Sequence, residues 1–248
     1  MGQMDGKVVI VTGSSGGLGK AIAEVFAADG ARIVLAARRK AILEEVASGI
    51  RARGGSALAV PTDVTEEAGV IALFAAAMSA YGRVDVLVNN AGVPSSTATE
   101  EMTLESWKSV IDVNLTAVFL CSREALRVMK KQGGGRIINI GSVSKITPRR
   151  HSIAYSASKS AIHGLTHSLT LDGRDYGVVA SVIHPGATAS GFNAARGGAG
   201  PGKRPEDYIM AAEDVARIAL VMCTLPPEVN LFEATVLPNH MRSFIDRG

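Results

Sequence analysis

Short apolar runs alternate with longer amphipathic stretches along the whole chain. Residues 8–11 are four β-branched residues in a row, Val8, Val9, Ile10 and Val11. Residues 17–29 follow with Leu18, Ile22, Val25 and Phe26 at helical spacing. The alternation continues with strands at 33–36, 58–61, 84–88, 136–140 and 178–183, and a seventh at 231–237. Helical stretches lie between them at 40–53, 66–81, 104–131 and 153–176. Uniformly apolar strands separated by helices predict an α/β fold, with a parallel sheet covered on both faces. Right-handed crossovers then make it a single doubly wound, Rossmann-like sheet, with ligands at the carboxyl ends of the strands.

No linker divides the 248 residues, so one domain over 1–248 is expected. The low-complexity segment 191–202 holds five glycines and a proline. It lies just past a strand end, inside a region, 187–212, expected to act as a flexible substrate-side lid; a mobile loop without a role is the other reading.

Composition narrows the function classes. Hydrophobic residues make up 47% and charged residues 20%, enough for a large core and against disorder. Net charge is +3 with no basic block, which argues against nucleic-acid or membrane-surface partners. No apolar run approaches the ~18–20 residues that span a bilayer, and the N-terminus has no secretory pattern. A cytoplasmic location is the expectation. Cys121 and Cys223 sit in apolar surroundings and read as reduced core residues. The five histidines are scattered, no pair has metal-ligand spacing with a third ligand, and no metal is expected.

The first strand runs into Thr12-Gly13-Ser14-Ser15-Gly16-Gly17-Leu18-Gly19 and then into a helix. Glycines there let the backbone approach a pyrophosphate, and the helix N-terminus offers unpaired N–H groups to its charge. The second strand ends Ala36-Ala37-Arg38-Arg39. An acidic residue at this end would bind the ribose hydroxyls of NAD. Arginine can instead pair with a 2′-phosphate, which points to NADP(H) over NAD(H), unless Arg38 and Arg39 are only a solvated helix start. Asp63, after the third strand, is placed to accept a hydrogen bond from the adenine amino group.

Tyr155 and Lys159 lie one helical turn apart, and Ser142 thirteen residues before the tyrosine. Tyrosine ordinarily has a pKa near 10, too high for acid–base work at neutral pH. A lysine on the same helix face lowers it toward the working range. A lone Tyr-x-x-x-Lys pair says little. Its weight comes from following the fifth strand, which Ser142 closes, and from the nucleotide-type turn upstream.

With these motifs in order, the chain resembles the short-chain dehydrogenase/reductase family over nearly its full length. The matching residues are 12–19, Asp63-Val64, Asn89-Asn90-Ala91-Gly92, Asn114, Ser142, Tyr155 to Lys159, and Pro185-Gly186. The resemblance implies hydride transfer between a nicotinamide cofactor and an alcohol or carbonyl. Tyr155 would be the general acid/base. Lys159 would lower its pKa and bind the nicotinamide ribose, and Ser142 would hold the substrate oxygen. Asn114 would hold a water linking Lys159 to solvent. The implied cofactor contacts are Gly13, Ser15, Gly17, Leu18, Gly19, Arg38, Arg39, Asp63, Val64, Asn90, Ala91, Gly92, Tyr155, Lys159, Pro185 and Gly186, with Thr188 or Ser190 at the carboxamide.

Two places depart from the family pattern. Ala180-Ser181 stand where many members have valine and asparagine, so a structural hydrogen bond is expected to be lost. The chain from Asn230 to Pro238 lacks the usual glycine-led terminal strand, as in a subgroup of NADP-preferring reductases. A homo-tetramer or homo-dimer is the family expectation, with the helices at 104–131 and 153–176 as candidate interface.

The substrate pocket is expected from 93–96, 143–150 and 187–212. Lys145, Arg149, Arg150, Arg196, Lys203 and Arg204 fall there, so either an acidic substrate is favoured or the rim is simply charged and solvated. Competing functions are a nucleotide-binding scaffold or redox sensor without catalysis, and an isomerase or dehydratase on the same fold.

Overall fold

The computed structural model describes residues 2–189 and 209–239. Strands β1 (Val8–Thr12), β2 (Arg32–Ala37), β3 (Ser56–Pro61), β4 (Val86–Asn89), β5 (Gly135–Ile140), β6 (Val178–Pro185) and β7 (Glu233–Val236) form one sheet. Its order is β3-β2-β1-β4-β5-β6-β7, and every neighbouring pair is parallel. The order reverses between β1 and β4, which opens a crevice at their carboxyl ends.

Helices cover both faces because the central strands are apolar on both sides. Val9 and Val11 pack into one layer with α1 (Gly17–Ala28) and α2 (Lys40–Ala52). Val8 and Ile10 pack into the other with α3 (Glu67–Tyr81) and the long helices that follow. Phe26, Ile22, Leu73 and Met129 are fully buried, each worth roughly 1.5–3 kcal/mol of transfer free energy.

The stretch expected as one helix at 104–131 is interrupted. It divides into α4 (Leu104–Ile111), a π turn over Asp112–Thr116, and α5 (Ala117–Gln132). Such single π turns inside helices recur at functional sites. This one carries the fully buried Asn114. The next helix, α6, covers Ile153–Gly173 and tightens into a 3₁₀ turn at Arg174–Tyr176.

A further helix, α7 (Ala212–Thr224), is not among the elements expected from sequence. It packs Val215, Ala216, Ala219 and Met222 into the same layer as α1. The chain beyond it is tied back by Arg136, whose guanidinium donates to the carbonyls of Leu225 (2.8 Å), Pro226 (2.8 Å) and Val229 (3.3 Å).

The expected loss at Ser181 does not occur. Its hydroxyl donates to Asn230 Oδ1 at 2.9 Å, while Asn230 Nδ2 donates to the Ala180 carbonyl at 3.0 Å. The partner comes from the atypical C-terminal segment itself. Both cysteines are unpaired, and burial pushes the Cys121 thiol up to about 12. Among the described residues no helix is long and apolar enough to cross a membrane.

Candidate active site

A cleft of about 1040 Å³ runs along the carboxyl ends of the strands, across the β1/β4 reversal. One end is the glycine turn. Gly13 has φ +66°, and a Cβ there would stand 2.8 Å from Ala91 Cα. A Cβ at Gly19 would stand 2.4 Å from both the Gly13 carbonyl oxygen and Asn90 Nδ2. These glycines are therefore required by close backbone approach. Gly16, the α1 N-cap residue, has extended backbone (φ 173°), and a Cβ there would meet no protein atom within 4 Å. No side chain caps α1 and no acidic residue occupies its first turn, so its N–H groups remain available to an anion. The turn fits a dinucleotide pyrophosphate.

The loop after β4 is strapped onto this turn. Thr12 Oγ1 accepts from Asn90 N (3.0 Å) and Ala91 N (3.1 Å). Asn90 Nδ2 donates to the carbonyls of Thr12 (3.0 Å) and Gly13 (3.2 Å). Asn89 continues inward, donating to Ser122 Oγ and to Asn139 Oδ1, and Asn139 donates to Thr166 Oγ1. Asn139 and Thr166 lie outside any motif read from sequence, although an asparagine inside an apolar strand is a signal that a buried partner exists.

At the same end lie Ala37, Arg38, Arg39, Asp63 and Val64. Arg39 Nη2 donates to Ser15 Oγ at 3.4 Å, setting a guanidinium across the glycine turn. Asp63 accepts from Thr65 Oγ1 (2.7 Å) and Thr65 N (3.0 Å). Those bonds, with a smaller contribution from the Arg38 charge, hold its carboxyl below the usual range despite some burial. Thr62 and Thr65 also line the cleft, and neither was expected.

The other end holds Ser142, Tyr155 and Lys159, with Pro185, Gly186 and Thr188 beside them. Tyr155 is half-buried and Lys159 is buried, its Nζ 5.8 Å from the tyrosine ring centroid. Lys159 Nζ donates to the Ile140 carbonyl at 2.7 Å, and burial pushes its pKa down to about 8. Ser142 caps the short 3₁₀ turn Val143–Lys145, its Oγ accepting from Ser144 N at 3.1 Å.

Asn114 does not line the cleft. Its amide is committed behind the wall: Oδ1 accepts from Val93 N (2.8 Å), and Nδ2 donates to Val93 O (3.0 Å) and Ser158 Oγ (3.2 Å). It braces the loop after β4 against the helix that carries Tyr155 and Lys159. Gly19 likewise supports the cleft without lining it, and Ser190 falls outside the described residues.

The described part of the cationic rim differs from the expected one. Lys145 was expected at the pocket mouth but turns away and pairs with Glu233 on β7. Arg150 does not line the cleft, whereas Arg149 does. Arg196, Lys203, Arg204 and most of the expected lid lie outside the described residues. Of 93–96 only Val93 borders the cleft, while Ser109, Asp112 and Val113 contribute without having been expected.

Residues 7–198 match the family model described as short chain dehydrogenase. A 3beta-hydroxysteroid dehydrogenase of Eggerthella lenta is 40% identical over 225 residues, covering 87% of this chain and 86% of the relative. Among solved structures, a 3-ketoacyl-(acyl-carrier-protein) reductase from Brucella melitensis, complexed with NADH, superimposes with a TM-score of 0.86. It is 29% identical and is matched over 96% of this chain and 99% of its own. A metagenomic short-chain oxidoreductase in complex with NADP gives 0.83 at 32% identity, with the same two coverages.

Proposed function

The chain belongs to the short-chain dehydrogenase family and is an NAD(P)-dependent dehydrogenase/reductase; from that premise we propose that it is an NADP(H)-dependent enzyme interconverting a ketone or aldehyde with its alcohol, with Tyr155 as general acid/base. The observation that carries this reading is that Ser142, Tyr155 and Lys159 border one cleft with the glycine turn. Held along this cleft, a nicotinamide cofactor would supply the hydride donor or acceptor.

The chain's own residues handle the proton. Ser142 Oγ accepts from Ser144 N, which leaves its hydroxyl hydrogen free to donate to the substrate oxygen. Tyr155 gives that oxygen a proton in reduction and takes it in oxidation. The Lys159 charge favours the phenolate and its ammonium holds the ribose. With its side-chain amide committed to Val93 and Ser158, Asn114 braces the helix that carries Lys159, and any water it holds on the path from Lys159 to solvent would have to meet its backbone. The carboxamide falls to Thr188 or Ser190.

Preference for NADP(H) is supported by Ala37 standing where an acidic residue would read the ribose, and by Arg38 and Arg39 lining the cleft beside Ser15. Given the Eggerthella lenta relative, a 3β-hydroxysteroid belongs in the first substrate panel. A single-domain, cytoplasmic homo-oligomer completes the proposal. Leu104, Phe119 and Ile153, 66%, 49% and 40% exposed on α4, α5 and α6, are candidates for the subunit contact.

The test is Tyr155→Phe. Turnover with NADPH and a ketone panel should fall by at least a hundredfold, while NADPH titration by fluorescence is nearly unchanged. Persisting turnover would remove Tyr155 from the mechanism. Wild-type protein that binds neither cofactor would favour the scaffold reading.

A further inference from the structure

Behind the Ser142 turn lies a cluster of ionisable groups that the hydride-transfer reading leaves unused. His184 on β6 is fully buried, and its Nδ1 accepts the backbone N–H of Ser142 at 3.2 Å. The contact is close because residue 141 is glycine: a Cβ there would stand 2.3 Å from His184 Nδ1. At the other end of the same turn, Lys145 Nζ donates to Glu233 Oε1. That oxygen lies 3.6 Å from His184 Nε2, and Glu233 Oε2 lies 3.1 Å from His163 Nδ1, outside hydrogen-bond geometry. One carboxylate on β7 thus gathers Lys145, His163 and His184, three groups from three different elements.

The three residues His163, His184 and Glu233 bring their ligand-type atoms within 4.8 Å of one another, as a metal site would. The hydrogen bonds argue otherwise. An imidazole Nδ1 that accepts an N–H has its lone pair occupied, so the neutral ring carries its proton on Nε2. Nε2 then has no lone pair for a cation, and ligation there would require an imidazolate. Burial first, and the Lys145 charge second, push His184 down to about 4, so the neutral ring is the form present at physiological pH. The ammonium of Lys145 already answers the carboxylate. Two links tie the cluster to the turn, the Ser142–His184 hydrogen bond and the Lys145–Glu233 ion pair, while His184 Nε2 and His163 Nδ1 are buried beside the carboxylate without a hydrogen-bond partner.

We infer that His184 and Glu233 are positioning residues that clamp the Ser142–Lys145 turn at both ends, and so hold the Ser142 hydroxyl in its working geometry. The imidazole takes the first N–H of the turn, and the carboxylate takes the ammonium of its last residue. His184 also directly precedes Pro185 and Gly186, which line the same cleft. A shift of the ring would therefore be felt on both sides of the substrate. The inference rests on the reading of Ser142 as the holder of the substrate oxygen.

The test is a double-mutant cycle between His184→Leu and Ser142→Ala, with NADPH affinity measured alongside. His184→Leu should lower kcat roughly 10–100-fold, the scale of a misplaced catalytic group, with little change in cofactor affinity. In the Ser142→Ala background the same substitution should lower kcat less than twofold. His184→Asn should restore most of the loss, because its Oδ1 can take the place of Nδ1. Glu233→Gln, on a half-exposed residue, should give a smaller loss of the same kind and serves if His184→Leu does not fold. Hydrogen exchange supplies a readout independent of turnover: the amides of 142–145 should lose protection in His184→Leu and Glu233→Gln.

Equal losses in both backgrounds, an Asn variant as poor as the Leu variant, or unchanged amide protection would each overturn the clamp. So would uptake of one equivalent of Co²⁺ that depends on His163 and Glu233. If Ser142→Ala itself keeps full turnover, the role given to Ser142 fails, and the exchange data still decide whether the clamp exists.

Discussion

The Lys159 ammonium, on a residue only 5% exposed, donates to the carbonyl of Ile140 at 2.7 Å. Ile140 ends β5, and Ser142 follows two residues later. The lysine is therefore fastened to the strand that delivers the serine, and the helix carrying Tyr155 is fixed to both.

Burying that charge has a thermodynamic signature. The Lys159 pKa falls from 10.5 to about 8. Between those values the unfolded chain binds more protons than the folded one, so this residue's contribution to stability rises with pH. At neutral pH the buried ammonium costs about 3 kcal/mol at most, from 1.36 kcal/mol per pKa unit. Lys159→Met should abolish turnover yet raise the melting temperature of the cofactor-free protein at pH 7. The gap to wild type should narrow from pH 8 to pH 10.5. A variant less stable than wild type at pH 7 would show that the bond to Ile140 outweighs the desolvation.

His184 gives the opposite end of the pH profile. Its pKa is lowered from 6.5 to about 4 by burial and by Lys145. Its stabilising contribution is complete above about pH 6.5 and is lost as pH falls toward 4. The full span is about 3 kcal/mol by linkage. Lys145, Glu233 and His163 are the ionisable groups that share the ring's surroundings. Chemical denaturation at pH 7 and pH 4.5 should show a smaller difference for His184→Asn than for wild type. Equal differences would move the acid sensitivity elsewhere.

Cofactor choice can be read from two arginines. Charge-assisted hydrogen bonds to a phosphate contribute roughly 1.5–3 kcal/mol each. Arg38→Ala and Arg39→Ala should each weaken NADPH binding about ten- to a hundredfold and leave NADH binding within about threefold. Isothermal titration with both cofactors checks this. Equal weakening of both would mean that the arginines do not read the 2′-phosphate.

Gly19→Ala places a Cβ 2.4 Å from backbone of the glycine turn and should cost about 1–3 kcal/mol of stability. Gly16→Ala meets no protein atom and should change stability by less than about 0.5 kcal/mol. Denaturation midpoints of the two variants make the comparison. A destabilising Gly16→Ala would show that the turn is held more tightly there than its open surroundings imply.

Strand by strand, the parallel sheet was legible because each buried strand is predominantly apolar, with single polar residues such as Asn139 and Ser181 inside it. The glycine turn was legible because glycine answers a local backbone demand. Tyr155 and Lys159 were legible because i and i+4 share a helix face whatever surrounds them. The strand ends moved by at most two residues, since ladder hydrogen bonds set them. Helix α7 is absent from the expected elements although Val215, Ala216, Ala219 and Met222 have helical spacing, because its start falls at the end of the stretch 187–212 that reads as a lid.

What only the tertiary structure decided is how distant segments meet. Sequence placed Lys145 among rim cations by its number in the chain; its partner, Glu233, lies 88 residues away on β7. Asn230 rescuing Ser181, Asn114 bracing Val93, and His184 holding Ser142 are likewise pairings across 49, 21 and 42 residues. No local period encodes them. A buried polar group must find a partner, but which partner it finds depends on which strands and helices are packed side by side. The amino-acid pattern determined the sheet, the glycine turn and the pairing of Tyr155 with Lys159 on one helix face, since each is a property of near neighbours. The clamp behind the serine and the direction of the cationic side chains were settled by packing.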